Sequence, residues 1–426
     1  MHIVLLGTCD TKLDELLYLR SQILGNGDDY TRVTFVDVGR SFVEHEAITV
    51  TQKALIEDYA PAGAQNISSL PRGDVIKYMI SCASSWLLET YQAGLEDPSE
   101  ALHAIISIGG TGGTSLASGV MRDVLPIGFP KLIISTAASG DTGPIVGESD
   151  ITLMYSVVDI AGTNSLLRRI LSNAAGSVVG MAKAYEHSLS QQSDSSSPTS
   201  RKRIGITMFG VTTPGVDAIR KHLEQYNLET FVFHCTGHGG KAMERLIQQG
   251  ELDAVIDLTT TEIADHLCGG VMSAGESRLE AALKAGIPYI ISLGATDMVN
   301  FGPRPTVPEK FNARKLFEHN PTVTLMRTSP NECREIGEFI VEKIMTHAAD
   351  RKKVQVVLPK AGVSMIATPG GPFYDAEADG AIFAAVRDGL SGSGVVLRED
   401  DRDVNHKGFA IDVAEQMVAL LGLQRD

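Results

Sequence analysis

The stretch AIISIGGTGGTS, residues 104–115, decides how the first half of this chain folds. An apolar run leads directly into four glycines and two threonines at residues 109–114, and a helical pattern follows. A strand, a glycine-rich turn and a helix in this order indicate one unit of a parallel α/β sheet. Because glycines let backbone N–H groups approach an anion at the start of a helix, the stretch predicts a phosphate site.

Two interpretations of this glycine loop remain open. It lacks the Gly-Lys-Ser/Thr ending of a Walker loop and the spacing of the dinucleotide motif G-x-G-x-x-G, so a tight turn with a capping threonine is one of them. Four glycines with two hydroxyl groups favour the other, a ligand site in which backbone N–H groups and threonine hydroxyls hold phosphate. The predicted contacts are Gly109, Gly110, Thr111, Gly112, Gly113 and Thr114.

Three other loops of the first half carry hydroxyl and carboxylate groups where predicted strands end. They are GTCDTK at 7–12, TFVDVGR at 34–40 and ISTAASGDTGP at 134–144. Ligands of doubly wound sheets bind at the carboxyl ends of strands, so we predict that these loops share one nucleotide pocket with the glycine loop. For Asp37 a cap at the strand end is an equal alternative. The predicted contacts are Thr8, Asp10, Thr11, Asp37, Ser139, Asp141 and Thr142.

The whole chain alternates short apolar strands with amphipathic helices over 426 residues, of which 43% are hydrophobic. This alternation predicts an α/β protein with two Rossmann-like, doubly wound parallel-sheet domains and a cleft between them. The serine-rich segment SLSQQSDSSSPTSRKR predicts a linker at 188–203. The predicted domains are therefore residues 1–187, which bind nucleotide, and residues 204–426.

Helix boundaries are predicted from capping residues. Asn164 is expected to cap the long helix that closes the first half. Capping boxes are expected for three pairs of residues, namely Thr11 with Asp14, Thr259 with Glu262, and Ser329 with Glu332.

The second half repeats the sequence of strand, glycine loop and helix in FHCTGHGGKAMERL, residues 233–246. Polar residues also follow the predicted strands in DLTTTEIAD at 257–265 and LGATDMVNFGPR at 293–304. These loops predict a possible second ligand site, with turn and cap chemistry as the alternative. The spacing of the histidines and cysteine at 234–238 fits no strong metal pattern, so no metal site is predicted. The predicted contacts are His234, Thr236, Gly239, Gly240, Lys241, Thr260, Asp297 and Asn300.

Charge and cysteine content restrict the classes of function. The chain has 37 basic and 52 acidic residues, a net charge of -15, which argues against direct binding to nucleic acid or to an anionic membrane. The apolar start MHIVLLG is shorter than the core of a signal peptide, and no apolar run approaches the roughly 18 residues of a spanning helix. Five scattered cysteines indicate reduced thiols. We therefore expect a cytoplasmic protein.

Several longer motifs resemble a known family. FHCTGHGGKAMERLI, DLTTTEIADHLCGGVMSAGESRLEAA and GATDMVNFGPR, together with GTCDTK, SIGGTGGTS and VLPKAGVS, are similar to the Tm-type family, known for a tomato member that confers resistance to tobamoviruses. The resemblance covers nearly the whole chain. It implies two Rossmann-like domains, ATP bound in the N-terminal part, and action as a homodimer through protein partners.

The same resemblance implies further details. The tomato member binds the helicase domain of tobamovirus replication proteins and blocks RNA replication. Plant members carry an additional C-terminal barrel, so we expect the activity of that barrel to be absent here. Carried onto this sequence, the ATP site corresponds to Gly109–Thr114 and the neighbouring loops.

Two hypotheses of function follow. In the first, the chain is an ATP-binding protein that acts through protein partners. In the second, it is an enzyme of small-molecule metabolism that brings a nucleotide to a polar or anionic substrate in the cleft. Mg²⁺ is expected with ATP because no Walker lysine neutralises the phosphates, and Asp10 or Asp141 is expected to hold the water shell of the ion.

Overall fold

The computed structural model describes residues 1–62, 67–194 and 201–424. The chain divides into two units, Met1–Pro198 and Thr199–Asp426, called here the first and the second domain. Each has a main sheet of parallel strands connected by helices, which confirms the predicted α/β class with two doubly wound domains.

The sheet of the first domain has, in the described part of the chain, five parallel strands in the order β2-β1-β3-β4-β5. This is the doubly wound order of flavodoxin, in which ligands bind between β1 and β3. Successive residues of β1 enter separate cores on the two faces, with Ile3 and Leu5 on one side and Val4 and Leu6 on the other. The strands are β1 His2–Gly7, β2 Arg32–Asp37, β3 Ala104–Gly109, β4 Lys131–Ser135 and β5 Thr152–Tyr155.

Helices cover both faces of this sheet. The helices α1 and α6 pack on one face, and α3 and α4 pack on the other. The bounds are α1 Cys9–Asn26, α2 Gln52–Tyr59, α3 Arg72–Glu96, α4 Thr111–Val124, α5 Gly143–Val146 and α6 Ser165–Asp194.

The predicted linker, residues 188–203, overlaps regular structure at both ends. Residues 188–194 continue helix α6, and the first strand of the second domain begins at Lys202. Residues 195–200 of the predicted linker lie outside the described residues. Serine-rich composition therefore placed the end of α6 too early, because serine on an exposed helix face costs little.

The main sheet of the second domain has six described parallel strands in the order β14-β13-β9-β8-β6-β7. Read from the other edge, β7-β6-β8-β9-β13 follows the strand order of the first sheet, β2-β1-β3-β4-β5, and β14 is one additional strand at the end. The two halves nevertheless show no sequence repeat. Helices α7 and α13 cover one face, and α8 to α12 pack on the other. The strands are β6 Lys202–Met208, β7 Leu228–His234, β8 Ala254–Thr259, β9 Tyr289–Gly294, β10 Met298–Phe301, β11 Leu316–Asn320, β12 Val323–Arg327, β13 Val354–Pro359 and β14 Val396–Asp400.

The helices of the second domain are α7 Thr213–Leu223, α8 His238–Gln248, α9 Thr261–Cys268, α10 Glu280–Ala285, α11 Pro330–His347, α12 Ala376–Leu390 and α13 Lys407–Leu421. None of the helices in the described part of the chain is both long enough and apolar enough to cross a membrane.

A small antiparallel sheet, β10-β12-β11, is inserted between β9 and β13. Residues 298–301 belong to the segment 293–304, which was expected to be a loop after a strand. The structure instead makes them strand β10 of this separate sheet. The four-residue strand β10 is wholly buried, and it is too short to show a clear period in sequence.

The capping predictions had mixed outcomes. Asn164 accepts the N–H groups of Leu166 and Leu167, and Ser329 forms its capping box with Glu332, so both of these predictions are confirmed. The other two capping boxes are wrong, because α1 begins already at Cys9, before Thr11, and Glu262 accepts N–H groups at the start of α8 rather than that of residue 259.

Candidate functional site

A pocket of about 890 Å³ lies at the carboxyl ends of β1 and β3 in the first domain. Helix α1 leaves β1 toward one face of the sheet, and α4 leaves β3 toward the other. Their divergence opens a crevice at this point, which is where doubly wound sheets bind ligands. The predicted contacts that line the pocket are Thr8, Asp10, Thr11, Gly110, Thr111, Gly112 and Gly113.

The glycine loop joins β3 to the N-terminus of α4. Gly109 ends the strand, and a Cβ there would lie 3.0 Å from the Cα of Gly113, so close packing of the loop requires glycine at this position. Gly110 is the N-cap residue of α4, and no described side chain caps this helix end. The first N–H groups of α4 therefore have no acceptor within the helix, and they lie at the pocket with the positive end of the helix dipole.

A second helix begins at the same pocket. Arg72 and Gly73, the first two residues of α3, line it, and among the described residues no side chain caps α3 either. By contrast α2, on the same domain, is capped by the side chain of Thr51. Two uncapped helix N-termini at one pocket give it a positive potential suited to an anion.

The N-cap and first turn of α1, which follow β1 directly, supply hydroxyl and carboxylate groups. The hydroxyls of Thr8 and Thr11 lie 3.0 Å apart. The Oδ2 atom of Asp10 accepts the N–H groups of Arg40 and Ser41 at 3.0 and 3.1 Å, and it thereby holds the loop after β2 against α1. The Oδ1 atom of Asp10 is buried beside Gly39, where a Cβ would come within 2.7 Å of it, and it has no hydrogen-bond partner among the described residues.

Asp37 acts as a cap at the end of β2, which was the alternative to its contacting a ligand. The residue is fully buried, and its Oδ1 accepts the N–H groups of Cys9 and Gly39 at 3.0 and 2.9 Å. Burial raises the pKa of this carboxyl above its usual value. Asp37 is not in the pocket lining, so it caps the start of α1 and does not contact a ligand there.

Thr114 was predicted to offer its hydroxyl to a phosphate. The structure buries this residue completely, and its Oγ1 lies 2.6 Å from the Oγ of Ser135. The hydroxyl therefore joins α4 to the end of β4 instead of facing the pocket.

The predicted contacts Ser139, Asp141 and Thr142 also lie outside the pocket lining. The Oδ1 atom of Asp141 accepts the N–H of Gly143 at 3.0 Å, which is local turn chemistry. A short 3-10 turn at the end of β4 carries the chain away, so Thr136, and not residues 139–142, lies beside Gly110.

The sequence analysis missed two arginines and an apolar wall. Arg40 follows β2, and Arg72 begins α3 directly after a proline. A signal for both was present, since a basic residue stood next to the end of a strand or the start of a helix. The apolar wall consists of Val38, Val75, Ile76 and Leu116.

In the second domain, the helix end that follows the second glycine loop is filled by the chain itself. The Oε1 atom of Glu262 accepts the N–H groups of Gly237 and Gly240 at 2.8 and 3.0 Å at the start of α8. A Cβ on Gly240 would overlap the carboxylate of Glu262, and one on Gly239 would overlap the carbonyl of His234. These glycines therefore admit an internal carboxylate at the place where the sequence predicted an external ligand.

Glu262 belongs to a buried ionic network centred on Arg278, whose side chain is fully buried. The guanidinium donates to both carboxylate oxygens of Asp257 at 2.6 and 2.7 Å and to Glu262 at 2.9 Å. Burial acts to lower the pKa of Arg278, but these two carboxylates outweigh it and raise the pKa well above its usual value. Glu244, 3.4 Å from Arg278, has its pKa raised by burial.

Other predicted contacts of the second site have partners inside the fold. Thr260, Asp297 and Asn300 are fully buried; the hydroxyl of Thr260 donates to the carbonyl of Ser292, and the side-chain amide of Asn300 donates to Asp265. None of the three can reach a ligand without rearrangement of the core. The corresponding end of β6 is also filled by buried apolar side chains, Phe209 and Val211.

The remaining predicted contacts of the second site lie near the end of β7 and the start of α8. His234 is exposed and stacks on Phe209 with ring centroids 5.5 Å apart. The hydroxyl of Thr236 donates to the carbonyl of His234, and Lys241 is half-buried in the first turn of α8. The structure brings these residues near one another but not to Asp297 or Asn300 in a common pocket.

We expect the stability of the second domain to fall as pH rises from about 4 to about 7, in part through Asp297. Burial raises the pKa of this carboxyl to about 7, against the opposing effect of Arg327. An aspartate in the unfolded chain loses its proton near pH 4, so in this window unfolding releases a proton and stability decreases with pH. Asp297→Asn should flatten the dependence of the melting temperature on pH. An unchanged slope would contradict the prediction, and the exposed substitution Asp217→Asn is the control.

Comparisons with known proteins follow the domain organisation. The model described as Uncharacterised protein family (UPF0261) N-terminal domain matches residues 1–187, and the one described as its C-terminal domain matches residues 201–421. A relative from Clostridium tetani named UPF0261 protein is 40% identical over 426 residues, which cover 98% of this chain and 98% of the relative.

Two tomato proteins, from Solanum lycopersicum, are also similar. The ToMV resistance protein Tm-1(GCR237) is 40% identical over 385 residues, and the ToMV susceptible protein tm-1(GCR26) is 40% identical over 391 residues. Each match covers 88% of this chain and 49% of the tomato protein. The chain thus spans about half the length of these tomato relatives.

Proposed function

The chain belongs to the uncharacterised protein family UPF0261, which includes the tomato Tm-1 relatives, and we propose that its first domain binds ATP at the glycine loop. The observation that carries this proposal is the meeting of two uncapped helix N-termini and an apolar wall in one pocket of about 890 Å³. That volume is within the range of about 300–1,000 Å³ that is usual for small-molecule sites.

The phosphates would occupy the polar end of the pocket. Backbone N–H groups of Thr111, Gly112 and Gly113 supply donors, and Thr8 and Thr11, at the start of α1, line the same pocket with hydroxyls that lie 3.0 Å apart. Hydrogen bonds to a charged phosphate contribute about 1.5–3 kcal/mol each, so several together support binding without a Walker lysine.

The adenine ring would lie against the apolar wall. Val38, Val75, Ile76 and Leu116 belong to one apolar cluster and line the pocket, where they offer a surface that water solvates poorly. A pocket that served inorganic phosphate alone would not need this wall.

The residues present fit Mg²⁺ at one position. Asp10 is the carboxylate among the described residues that line the pocket, which suits it to accept from a metal-bound water. Asp141, the other predicted residue, lies outside the lining. When bound, Mg²⁺ would neutralise phosphate charge.

We further propose that the protein acts as a homodimer through a protein partner. The part of this proposal that concerns a partner is supported by the relatives named for resistance and susceptibility to ToMV, to which this chain is 40% identical along half their length; the homodimer is what the family resemblance implies. The inhibition of a virus, which the resemblance implies for the tomato family member, is not proposed for this chain.

Calorimetric titration of the purified protein with ATP, ADP and NAD, with and without Mg²⁺, tests the proposal. We expect ATP to bind in the micromolar range and more tightly with Mg²⁺. Failure of all three nucleotides to bind the folded protein would overturn it. Release of phosphate from ATP on the same samples would instead support the alternative hypothesis of an enzyme.

A further inference from the structure

We propose that Arg72 sets the phosphate specificity of this pocket, so that nucleoside triphosphates bind in preference to monophosphates. The inference rests on the proposed function, because it assigns one residue a role in distinguishing ligands at the same site. It concerns a side chain on α3, about 40 residues before the glycine loop in sequence.

The position of Arg72 supports this role. A Cβ placed on Gly112 would lie 3.5 Å from the Nη2 atom of Arg72, so the guanidinium is adjacent to the first turn of α4. Both residues line the pocket. A phosphate held by the N–H groups of α4 would therefore have a neighbouring phosphate within reach of this guanidinium.

Arg72 also differs from the other cations of the pocket in being free to bind. The Nζ atom of Lys12 donates to the carbonyl of Ile160 at 2.6 Å, and Arg40 donates to the carbonyl of Leu70 at 3.2 Å. Arg72 is exposed and makes no side-chain hydrogen bond or ion pair with any residue that the structure describes. An anion can therefore engage its planar fork of donors without breaking an internal contact.

The balance of charge around the pocket favours an extended anion. Among the described lining residues, Lys12, Arg40 and Arg72 are basic and Asp10 is acidic, in a chain whose net charge is -15. A monophosphate can occupy the N–H groups of α4 alone. A triphosphate has additional charged oxygens, and it can contact both α4 and Arg72 at once.

The test compares ATP, AMP and tripolyphosphate by calorimetry on the full chain and three variants. Arg72→Met should weaken ATP by about 10- to 100-fold, the loss of one or two charge-assisted hydrogen bonds, and AMP by less than about 3-fold. Arg72→Lys should give an intermediate loss, because it keeps the charge but not the fork. Lys77→Met is the matched control, since Lys77 is on the same helix, 82% exposed and outside the lining.

The outcomes separate the inference from the proposed function. If the wild type binds ATP and Arg72→Met binds it equally well, or loses ATP and AMP affinity alike, the inference is wrong and the proposed function stands. If the wild type binds neither ATP nor tripolyphosphate, both are wrong. If it binds tripolyphosphate but not ATP, the proposed function is wrong, and an unchanged affinity of Arg72→Met for tripolyphosphate then overturns the inference as well.

Discussion

Replacing Gly112 by glutamate should abolish ATP binding and leave the first domain folded. Gly112 is the second residue of α4, and a Cβ there meets only Arg72 and Ile76 at 3.5 Å, which is ordinary contact. A carboxylate at this position would stand where the phosphates are proposed to bind and would pair with Arg72. The affinity for ATP should fall roughly 100-fold or more, the equivalent of two lost charge-assisted hydrogen bonds.

Stability should not fall in the same variant. An acidic side chain in the first turn of a helix interacts favourably with the helix dipole, by about 0.3–1 kcal/mol, and glycine is a poor helix former. We therefore expect the melting temperature of Gly112→Glu to equal or exceed that of the wild type while calorimetry shows no ATP binding. Gly180→Glu, which adds the same charge at an open position on α6, should bind ATP normally. Normal ATP affinity in Gly112→Glu would refute the phosphate site.

Arg278→Met should destabilise the second domain by about 3–5 kcal/mol. The substitution leaves Asp257 and Glu262 buried without their counter-charge, and removal of one partner from a buried ion pair usually costs that much. A typical domain is stable by only about 5–15 kcal/mol, so the variant would lose a large fraction of its stability.

The single tryptophan, Trp86, allows the two domains to be followed separately, because it lies in α3 of the first domain. In Arg278→Met, urea unfolding followed by circular dichroism should show an early transition that tryptophan fluorescence does not report. Arg387→Met, which removes a half-exposed arginine paired with Glu399, should change the unfolding by about 1 kcal/mol or less. If the two substitutions lowered the free energy of unfolding equally, the buried network would stabilise the domain no more than an exposed ion pair does.

Site residues that lie close together in the sequence could be predicted, and those that lie far apart could not. Local patterns predicted the strands, the glycine loop and the place of Thr8, Asp10 and Thr11, because a strand, its turn and its helix are contiguous. Arg72 could not be connected with Gly112 from sequence, since their proximity depends on the packing of α3 against α4.

In the second domain, local sequence patterns did not reveal which polar residues bond inside the core. Glu262 stands three residues after Thr259, a spacing typical of a capping box, yet its carboxylate bonds across to α8. Asp297 and Asn300 are polar, and a sequence pattern cannot distinguish a buried polar residue that bonds inside the core from one that awaits a ligand. In the structure both residues are fully buried; Ser364 donates to Asp297, Asn300 donates to Asp265, and one side-chain oxygen of each has no partner among the described residues.

The carboxylate of Glu262 at the start of α8 has a consequence for how the two domains depend on metabolism. In the second domain the anion is part of the chain, so its occupancy does not vary with the composition of the cell. In the first domain the proposed anion must come from solution, and a ligand at one hundred times its Kd would add about 2.7 kcal/mol to stability. The resistance of the first domain to unfolding and proteolysis then depends on the supply of nucleotide. The stability of the second domain does not.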